Sequence, residues 1–202
     1  MQKQSGRTRQ ALVRATVELL ANGRFADAGL VNICRLAGVS RGALYHHFSS
    51  TSELVAEVHA QAKARTAVLA GHSSAGTAAG APERFSVALG AAMGEEELVR
   101  AGMRVAANGS GEPPWLRDEV LARVRAQVLA GAPDGEGDED RADREALADL
   151  AVVVTAGLES LGYTDGRWWD PATAERIWAM LRPLFAELDA SGSRETREIP
   201  EA

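Results

Sequence analysis

The chain has 202 residues, of which 46% are hydrophobic and 25% are charged, an ordinary balance for a soluble globular protein. Its net charge of −6 argues against a nucleic-acid partner, but the charge is unevenly distributed. Residues 1–65 carry nine Lys and Arg and four Asp and Glu, whereas residues 66–202 carry thirteen Lys and Arg and twenty-four Asp and Glu. No apolar run reaches the roughly 18 residues that span a bilayer, the polar N-terminus is not a signal peptide, and the lone Cys34 cannot form an internal disulfide. We therefore expect a cytoplasmic protein with no membrane partner.

The basic N-terminal part has the periodicity of four helices. The first is predicted to end at the helix-stop pair Asn22-Gly23. The others are predicted over residues 31–36, 40–47 and about 50–70. Ser50 and Glu53 have the spacing of a capping box at the start of the fourth helix. Cys34 lies among apolar residues of the second helix, which predicts a small buried hydrophobic residue.

The acidic remainder is also predicted to be helical. After a linker of small residues at 71–82, helices are expected at about 82–94, 96–108, 114–130, 147–161 and 171–188. We expect a turn at 109–114, a mobile acidic loop at 133–140 and a disordered polar tail at 189–202. The run Glu95-Glu96-Glu97 is interpreted as a solvated helix start. The predicted fold class is all-α, with about nine helices.

The segment from Val39 to Phe48 has the pattern of a helix-turn-helix that presents its second helix to DNA. Gly38 allows the tight turn, while Val39 and Leu44 are expected to point inward. The other positions offer hydroxyl, guanidinium and imidazole groups, or small residues that let the backbone approach DNA. The predicted DNA contacts, including the start of the next helix, are Ser40, Arg41, Gly42, Ala43, Tyr45, His46, His47, Ser50 and Thr51. A basic segment joined to an acidic body fits a DNA-binding domain on a body with another role.

Other interpretations of these residues exist. Tyr45 could belong to the core. A metal site at His46 and His47 is disfavoured, because adjacent side chains on a helix diverge. We find no phosphate loop, no metal-ligand spacing and no Ser-His-Asp or Cys-His arrangement, so we expect neither an enzyme nor a cofactor.

Residues 7–59 resemble the N-terminal domain of the TetR family of transcriptional regulators. The resemblance rests on Thr8, Arg9, Ala11, Leu12, Leu19, Leu20, Phe25, Ile33, Ala37, Gly38, Val39, Ser40, Gly42, Ala43, Leu44, Tyr45, His47, Phe48, Glu53 and Leu54. Two positions depart from the family pattern: the second helix opens near Gly29 instead of a Thr or Ser, and Thr51 replaces a Lys. Both family residues normally contact phosphate, so we expect weaker DNA binding than in members that keep them.

The resemblance implies a helix-turn-helix domain at residues 1–50, a connecting helix at 51–70, and a ligand-binding and dimerisation domain at 71–188. It also implies that the last two helices pair with those of a second copy, and the wide apolar faces of these helices independently favour a homodimer. Residues 98–106 and Trp178 resemble the γ-butyrolactone receptor-like subgroup, which binds butyrolactone, furan or antibiotic-type signals. The candidate faces carry few charges, which favours a neutral effector. Each tryptophan could instead pack in the core or at the dimer interface. The candidate ligand contacts are Val99, Met103, Trp115, Val153, Val154, Gly157 and Trp178.

These features together predict a dimeric repressor that binds a palindromic double-stranded DNA operator and is released by a small organic effector. The alternative is a degenerate relative that senses a ligand or binds a protein partner, with weak or no operator binding. Gly29 and Thr51 are the residues that motivate this alternative.

Overall fold

The computed structural model describes residues 2–73, 79–107, 115–132 and 137–195. Over these ranges the chain forms nine α-helices, two short 3-10 helices and no strand, which confirms the all-α prediction. The helices are α1 (Gln2–Ala21), α2 (Leu30–Ala37), α3 (Arg41–His47), α4 (Thr51–Ser73), α5 (Ala81–Glu95), α6 (Glu97–Ala107), α7 (Leu116–Leu129), α8 (Asp138–Gly162) and α9 (Pro171–Glu195). None of the described helices is long and apolar enough to cross a membrane.

The chain divides into two compact units. The N-terminal unit comprises Met1–Ala67 and Glu95–Glu119, and the C-terminal unit comprises Val68–Gly94 and Val120–Ala202. Helix α6 therefore belongs to the N-terminal unit, although α5 separates it from α4 in the sequence. The functional boundaries near residues 50 and 70 remain a prediction.

The core of the N-terminal unit forms around α1, which buries apolar side chains at helical spacing. They pack with Ile33 and Cys34 of α2, Leu44 of α3, and Ala101 and Val105 of α6. Cys34 is buried with a free thiol, as predicted. The buried apolar residues of α1 are Leu12, Val13, Ala15, Val17, Leu19, Leu20 and Ala21.

The turn between α2 and α3 follows from two local signals. Gly38 has a φ of 66°, in the left-handed region that glycine adopts without a Cβ penalty. This conformation lets Gly38 N–H donate to the Arg35 carbonyl and Val39 N–H to the Cys34 carbonyl, at 3.3 and 3.0 Å. The Cys34 and Arg35 carbonyls in the last turn of α2 are thereby paired, and the chain turns directly into α3 at Ser40.

The C-terminal unit contains the hairpin formed by α8 and α9. Trp169 lies in the connection, and its Nε1–H donates to the Glu159 carbonyl at 3.1 Å. Its ring packs where a Cβ on Gly162 would stand, so the absence of a side chain permits this close approach. Arg182 of α9 forms a bidentate ion pair with Glu83, which ties α5 to the same hairpin.

Several predicted boundaries are wrong. Residues 71–73 continue α4, and α9 runs to Glu195, into the predicted tail. Asp138, Glu139 and Asp140 form the first turn of α8 instead of a loop, since acidic side chains are favourable at a helix N-terminus. Glu96 is not simply solvated, because Arg65 of α4 donates to its carboxylate at 2.6–3.1 Å. The predicted turn at 109–114 lies outside the described residues, as do residues 133–136 and 196–202.

Candidate DNA-binding surface

Helix α3 presents polar residues to solvent and buries an apolar side. Ser40 is its N-cap, and the Ser40 Oγ accepts the N–H of Ala43 at 3.1 Å, which fixes the first turn. Leu44 and Phe48 are buried, and Val39 is half-buried against the same core. The inward orientation predicted for Val39 and Leu44 is confirmed.

The nine predicted DNA contacts lie within one short stretch of the N-terminal unit. Tyr45 is 56% exposed, so its assignment to the core is wrong. No cluster of three or more His, Cys, Asp or Glu side chains that could hold a metal occurs in the described part of the chain. Ser40, Arg41, Gly42, Tyr45 and His46 are exposed, while Ala43, His47, Ser50 and Thr51 are partly exposed. The structure thus makes these groups accessible, and their contact with DNA stays a prediction.

The first turn of α4 is capped from both sides. The Ser50 Oγ accepts the Glu53 N–H at 3.1 Å, as the predicted capping box requires. The Glu53 carboxylate in turn accepts the Ser49 N–H at 2.6 Å and the Ser49 hydroxyl at 2.8 Å. The backbone bond from Ser49 lowers the pKa of Glu53, which keeps the carboxylate ionised beside Thr51. A phosphate at this turn would be repelled by the Glu53 carboxylate. A lysine at residue 51 would offset that charge, whereas Thr51 does not.

Arg9 of α1 connects this surface to the core. Its guanidinium donates to Glu57 of α4 in a bidentate pair, at 3.0 and 2.7 Å, and lies 5.1 Å from the centre of the Phe48 ring. Gln61 donates to the same carboxylate at 2.7 Å. The bond from Arg9 is the main cause that lowers the pKa of Glu57, and the same bond raises the pKa of Arg9. We call Arg9, Phe48 and Glu57 the Arg9 clamp, because they join α1, the end of α3 and α4.

The start of α2 lacks the polar cap that its position favours. Gly29 is the N-cap, with φ of −73° and ψ of 153°, and it makes no side-chain capping bond. Nothing lies within 4 Å of where its Cβ would stand, so a serine would fit there. Val31, two residues later, is exposed. The absence of a hydroxyl at residue 29 thus removes a helix cap as well as a predicted phosphate contact.

The comparisons with known proteins agree with this geometry. Residues 12–58 match the family model described as "Bacterial regulatory proteins, tetR family". This part of the chain therefore resembles the DNA-binding domain of the TetR family. The match covers the helix-turn-helix, from the core of α1 to the middle of α4.

Solved structures of TetR-family proteins share the fold of the chain. A gamma-butyrolactone receptor described as ArpA-like has 19% identity and a TM-score of 0.69, over 95% of this chain and 99% of that one. CprB from Streptomyces coelicolor, in complex with its operator sequence, has 21% identity and a TM-score of 0.67, over 97% and 100%. PfmR from Thermus thermophilus has 19% identity and a TM-score of 0.57, over 95% and 96%. No curated protein matches the chain in sequence.

Helix α6 contributes to the core beneath the helix-turn-helix, and the sequence did not predict this packing. Ala101 and Val105 are buried in the cluster that α1 organises, and Leu98 packs against it. On α6, a Cβ at Gly102 would stand 2.3 Å from the Ala62 Cβ of α4. This close approach of α6 and α4 requires glycine at that position.

The seven candidate ligand contacts divide between the two units. Val99 and Met103 are fully buried in the N-terminal unit, where Trp115 is half-buried. In the C-terminal unit Trp178 is buried, Val154 and Gly157 are half-buried, and Val153 is 66% exposed. Their role in ligand binding remains a prediction.

Proposed function

We propose that the chain is a homodimeric repressor that binds a palindromic operator and dissociates from it when a small organic effector binds. The observation that supports DNA binding most directly is the exposure of Arg41, Tyr45 and His46 on a helix capped by Ser40. An arginine and hydrogen-bonding rings, held on a buried apolar side, are suited to base edges and phosphates in a major groove.

Apolar side chains left exposed on α8 and α9 support the dimer. Val153 and Leu161 are 66% and 44% exposed, and they are spaced by eight residues on α8 with Gly157 between them. Met180 and Leu184 on α9 are 81% and 44% exposed. Such apolar stripes on two packed helices favour a second copy that covers them, and two copies supply the two recognition helices of a palindromic site.

The packing of α6 supports effector control. Because α6 shares a core with α1, movement of α6 would disturb the helix that carries Arg9 and the rest of the Arg9 clamp. An effector needs only a different affinity for two arrangements of these helices to change operator affinity. A butyrolactone- or antibiotic-type signal is the effector class that we propose, supported by the shared fold with the ArpA-like receptor.

Fluorescence anisotropy with a duplex selected from a random pool tests the proposal. Arg41→Ala is expected to weaken binding to the selected duplex at least about fivefold, because one bidentate base contact contributes about 1–3 kcal/mol. Arg176→Ala is the matched control, since Arg176 is an exposed arginine in the C-terminal unit. Equal affinity for the two variants would contradict the proposed recognition surface.

The degenerate alternative has one specific observation in its favour. Gly29, the N-cap of α2, makes no side-chain hydrogen bond. It also has no hydroxyl group that could bind a phosphate, so only its backbone is available there. If this alternative holds, no duplex from the random pool is bound better than a scrambled one, even at low salt.

A further inference from the structure

Arg9 is held by two neighbouring groups within the N-terminal unit. Its Nη1 and Nη2 atoms donate to the two carboxylate oxygens of Glu57 at 3.0 and 2.7 Å, and its guanidinium lies over the Phe48 ring, 5.1 Å from the ring centre. Gln61, one turn further along α4, donates to Glu57 at 2.7 Å and helps to fix the carboxylate in place. The bidentate pair and the aromatic ring together define the position of the guanidinium.

The two partners of Arg9 flank the connection between α3 and α4. Phe48 is the C-cap of α3 and is only 2% exposed. Two serines separate it from the first residue of α4, and Glu57 lies in the second turn of that helix. A restraint on both Phe48 and Glu57 therefore sets where α3 ends and where α4 begins relative to α1.

The positive charge of Arg9 is offset within the chain. The bond from Arg9 lowers the pKa of Glu57, so the carboxylate beside the guanidinium is ionised at neutral pH. If Arg9 turned to a phosphate, this carboxylate, which is 25% exposed, would lose its bidentate partner. Arg7 differs, because it is exposed and, at about 3.6 residues per turn, lies on nearly the opposite side of α1. The surroundings of Arg9 thus favour holding helices together over binding DNA.

We infer that Arg9 is a positioning residue for DNA recognition, which holds the end of α3 and the start of α4 against α1 and makes no phosphate contact of its own. The inference rests on the proposed function, because it concerns how the exposed groups of α3 reach base edges. Tyr45 and His46 lie within three residues of Phe48, so a shift of Phe48 displaces them. Loss of Arg9 should therefore reduce discrimination between duplexes more than it reduces non-specific binding.

The ratio of affinities for a selected and a scrambled duplex, measured by fluorescence anisotropy, separates positioning from phosphate contact. Arg9→Met should lower this ratio at least about fivefold, because without the Arg9 clamp α3 is in the binding arrangement for only part of the time. Loss of a phosphate contact would instead weaken binding to both duplexes alike and lower the salt slope by about one unit. Arg7→Met is the matched control, since it removes one positive charge from the same helix and should leave the ratio unchanged.

Two further variants give different results for the two roles. Glu57→Gln releases Arg9 from its ionised partner, so a phosphate contact predicts tighter binding to both duplexes, whereas positioning predicts a lower ratio. Arg9→Lys keeps the charge but cannot form the bidentate pair, so positioning predicts a loss close to that of Arg9→Met, and a phosphate contact predicts little loss. Affinities are compared at a temperature at which circular dichroism shows every variant to be folded. An unchanged ratio in Arg9→Met and Glu57→Gln would overturn the inference.

Hydrogen exchange of the free chain tests the same restraint without DNA. Arg9→Met should speed exchange of the backbone amides in the last turn of α3 and the first two turns of α4 at least about threefold. The amides of α5, in the other unit, should keep their rates, as should all amides in Arg7→Met. Equal exchange at α3 and α4 in the unaltered chain and Arg9→Met would overturn the inference.

Failure of this role is distinguishable from failure of the proposed function. If the unaltered chain prefers no duplex, the repressor function and the role of Arg9 in recognition are both wrong. If the preference of the unaltered chain survives in Arg9→Met, only the role of Arg9 is wrong.

Discussion

Breaking the Arg9 clamp should destabilise the N-terminal unit more than breaking an ordinary surface ion pair. The Arg9–Glu57 pair is bidentate, at 3.0 and 2.7 Å, and its side chains are 43% and 25% exposed. Exposed pairs contribute about 0–1 kcal/mol, whereas bidentate charge-assisted pairs are stronger. After allowance for the solvent that still screens Arg9, we expect a coupling of about 1–1.5 kcal/mol between the two side chains.

A double-mutant cycle measures this coupling. The free energy of unfolding in urea would be compared for the unaltered chain, Arg9→Met, Glu57→Gln and the double variant. The control cycle uses Arg125→Met and Asp149→Asn, a single-contact pair at 3.0 Å whose side chains are 41% and 66% exposed. Its coupling should be below about 0.5 kcal/mol. Equal couplings in the two cycles would refute the reasoning from geometry and burial.

The Arg9–Glu57 pair should make the stability of the chain depend on pH. Because the pKa of Glu57 is lowered in the folded chain, the folded state binds fewer protons at this site than the unfolded state does. The stabilisation is fully present above the unfolded pKa of about 4.3 and is lost as the pH falls through the folded pKa. The stability difference between the unaltered chain and Glu57→Gln should therefore shrink from pH 7 toward pH 3.5. A constant difference over that range would contradict the assignment.

Four further substitutions have defined outcomes. Gly29→Ser should stabilise α2 by a few tenths of a kcal/mol and tighten DNA binding, whereas Gly29→Ala, which adds no cap, should not tighten it. Thr51→Lys should steepen the dependence of log affinity on log salt by about one unit, measured by anisotropy. Gly102→Ala should destabilise the chain by about 1–3 kcal/mol, because the added Cβ would stand 2.3 Å from the Ala62 Cβ. Gly71→Ala should not destabilise it, because no atom lies within 4 Å of where its Cβ would stand. Met180→Glu should lower the sedimentation coefficient of the chain toward that of a monomer. A dimer that this substitution leaves unchanged would contradict the interface proposed on α8 and α9.

The recognition helix was predictable because its signals are local. Gly38 and Ser40 act within two or three residues of their own positions, as a left-handed turn and an N-cap. The Ser50–Glu53 spacing likewise located the start of α4. The error at Asp138 arose because a run of acidic residues indicates a solvated loop as readily as a helix N-terminus, and composition alone does not separate the two.

The remaining features depend on contacts between distant parts of the chain. Arg9 and Glu57 are 48 residues apart, and each is individually an ordinary polar residue on a helix. The packing of α6 on α1 depends on Ala101 and Val105, whose spacing would fit any buried helix face. A sequence pattern predicts which face is buried, but not what lies against it.

Two copies of the chain are expected to bind one palindromic duplex through α3. Sedimentation of the chain with a fluorescent duplex selected from a random pool tests it most directly, since one experiment gives stoichiometry and specificity. Two protomers should bind each duplex, with an affinity at physiological salt about 10³-fold or more above that for a scrambled duplex. A complex of one protomer, or equal affinity for the selected and scrambled duplexes, would contradict it.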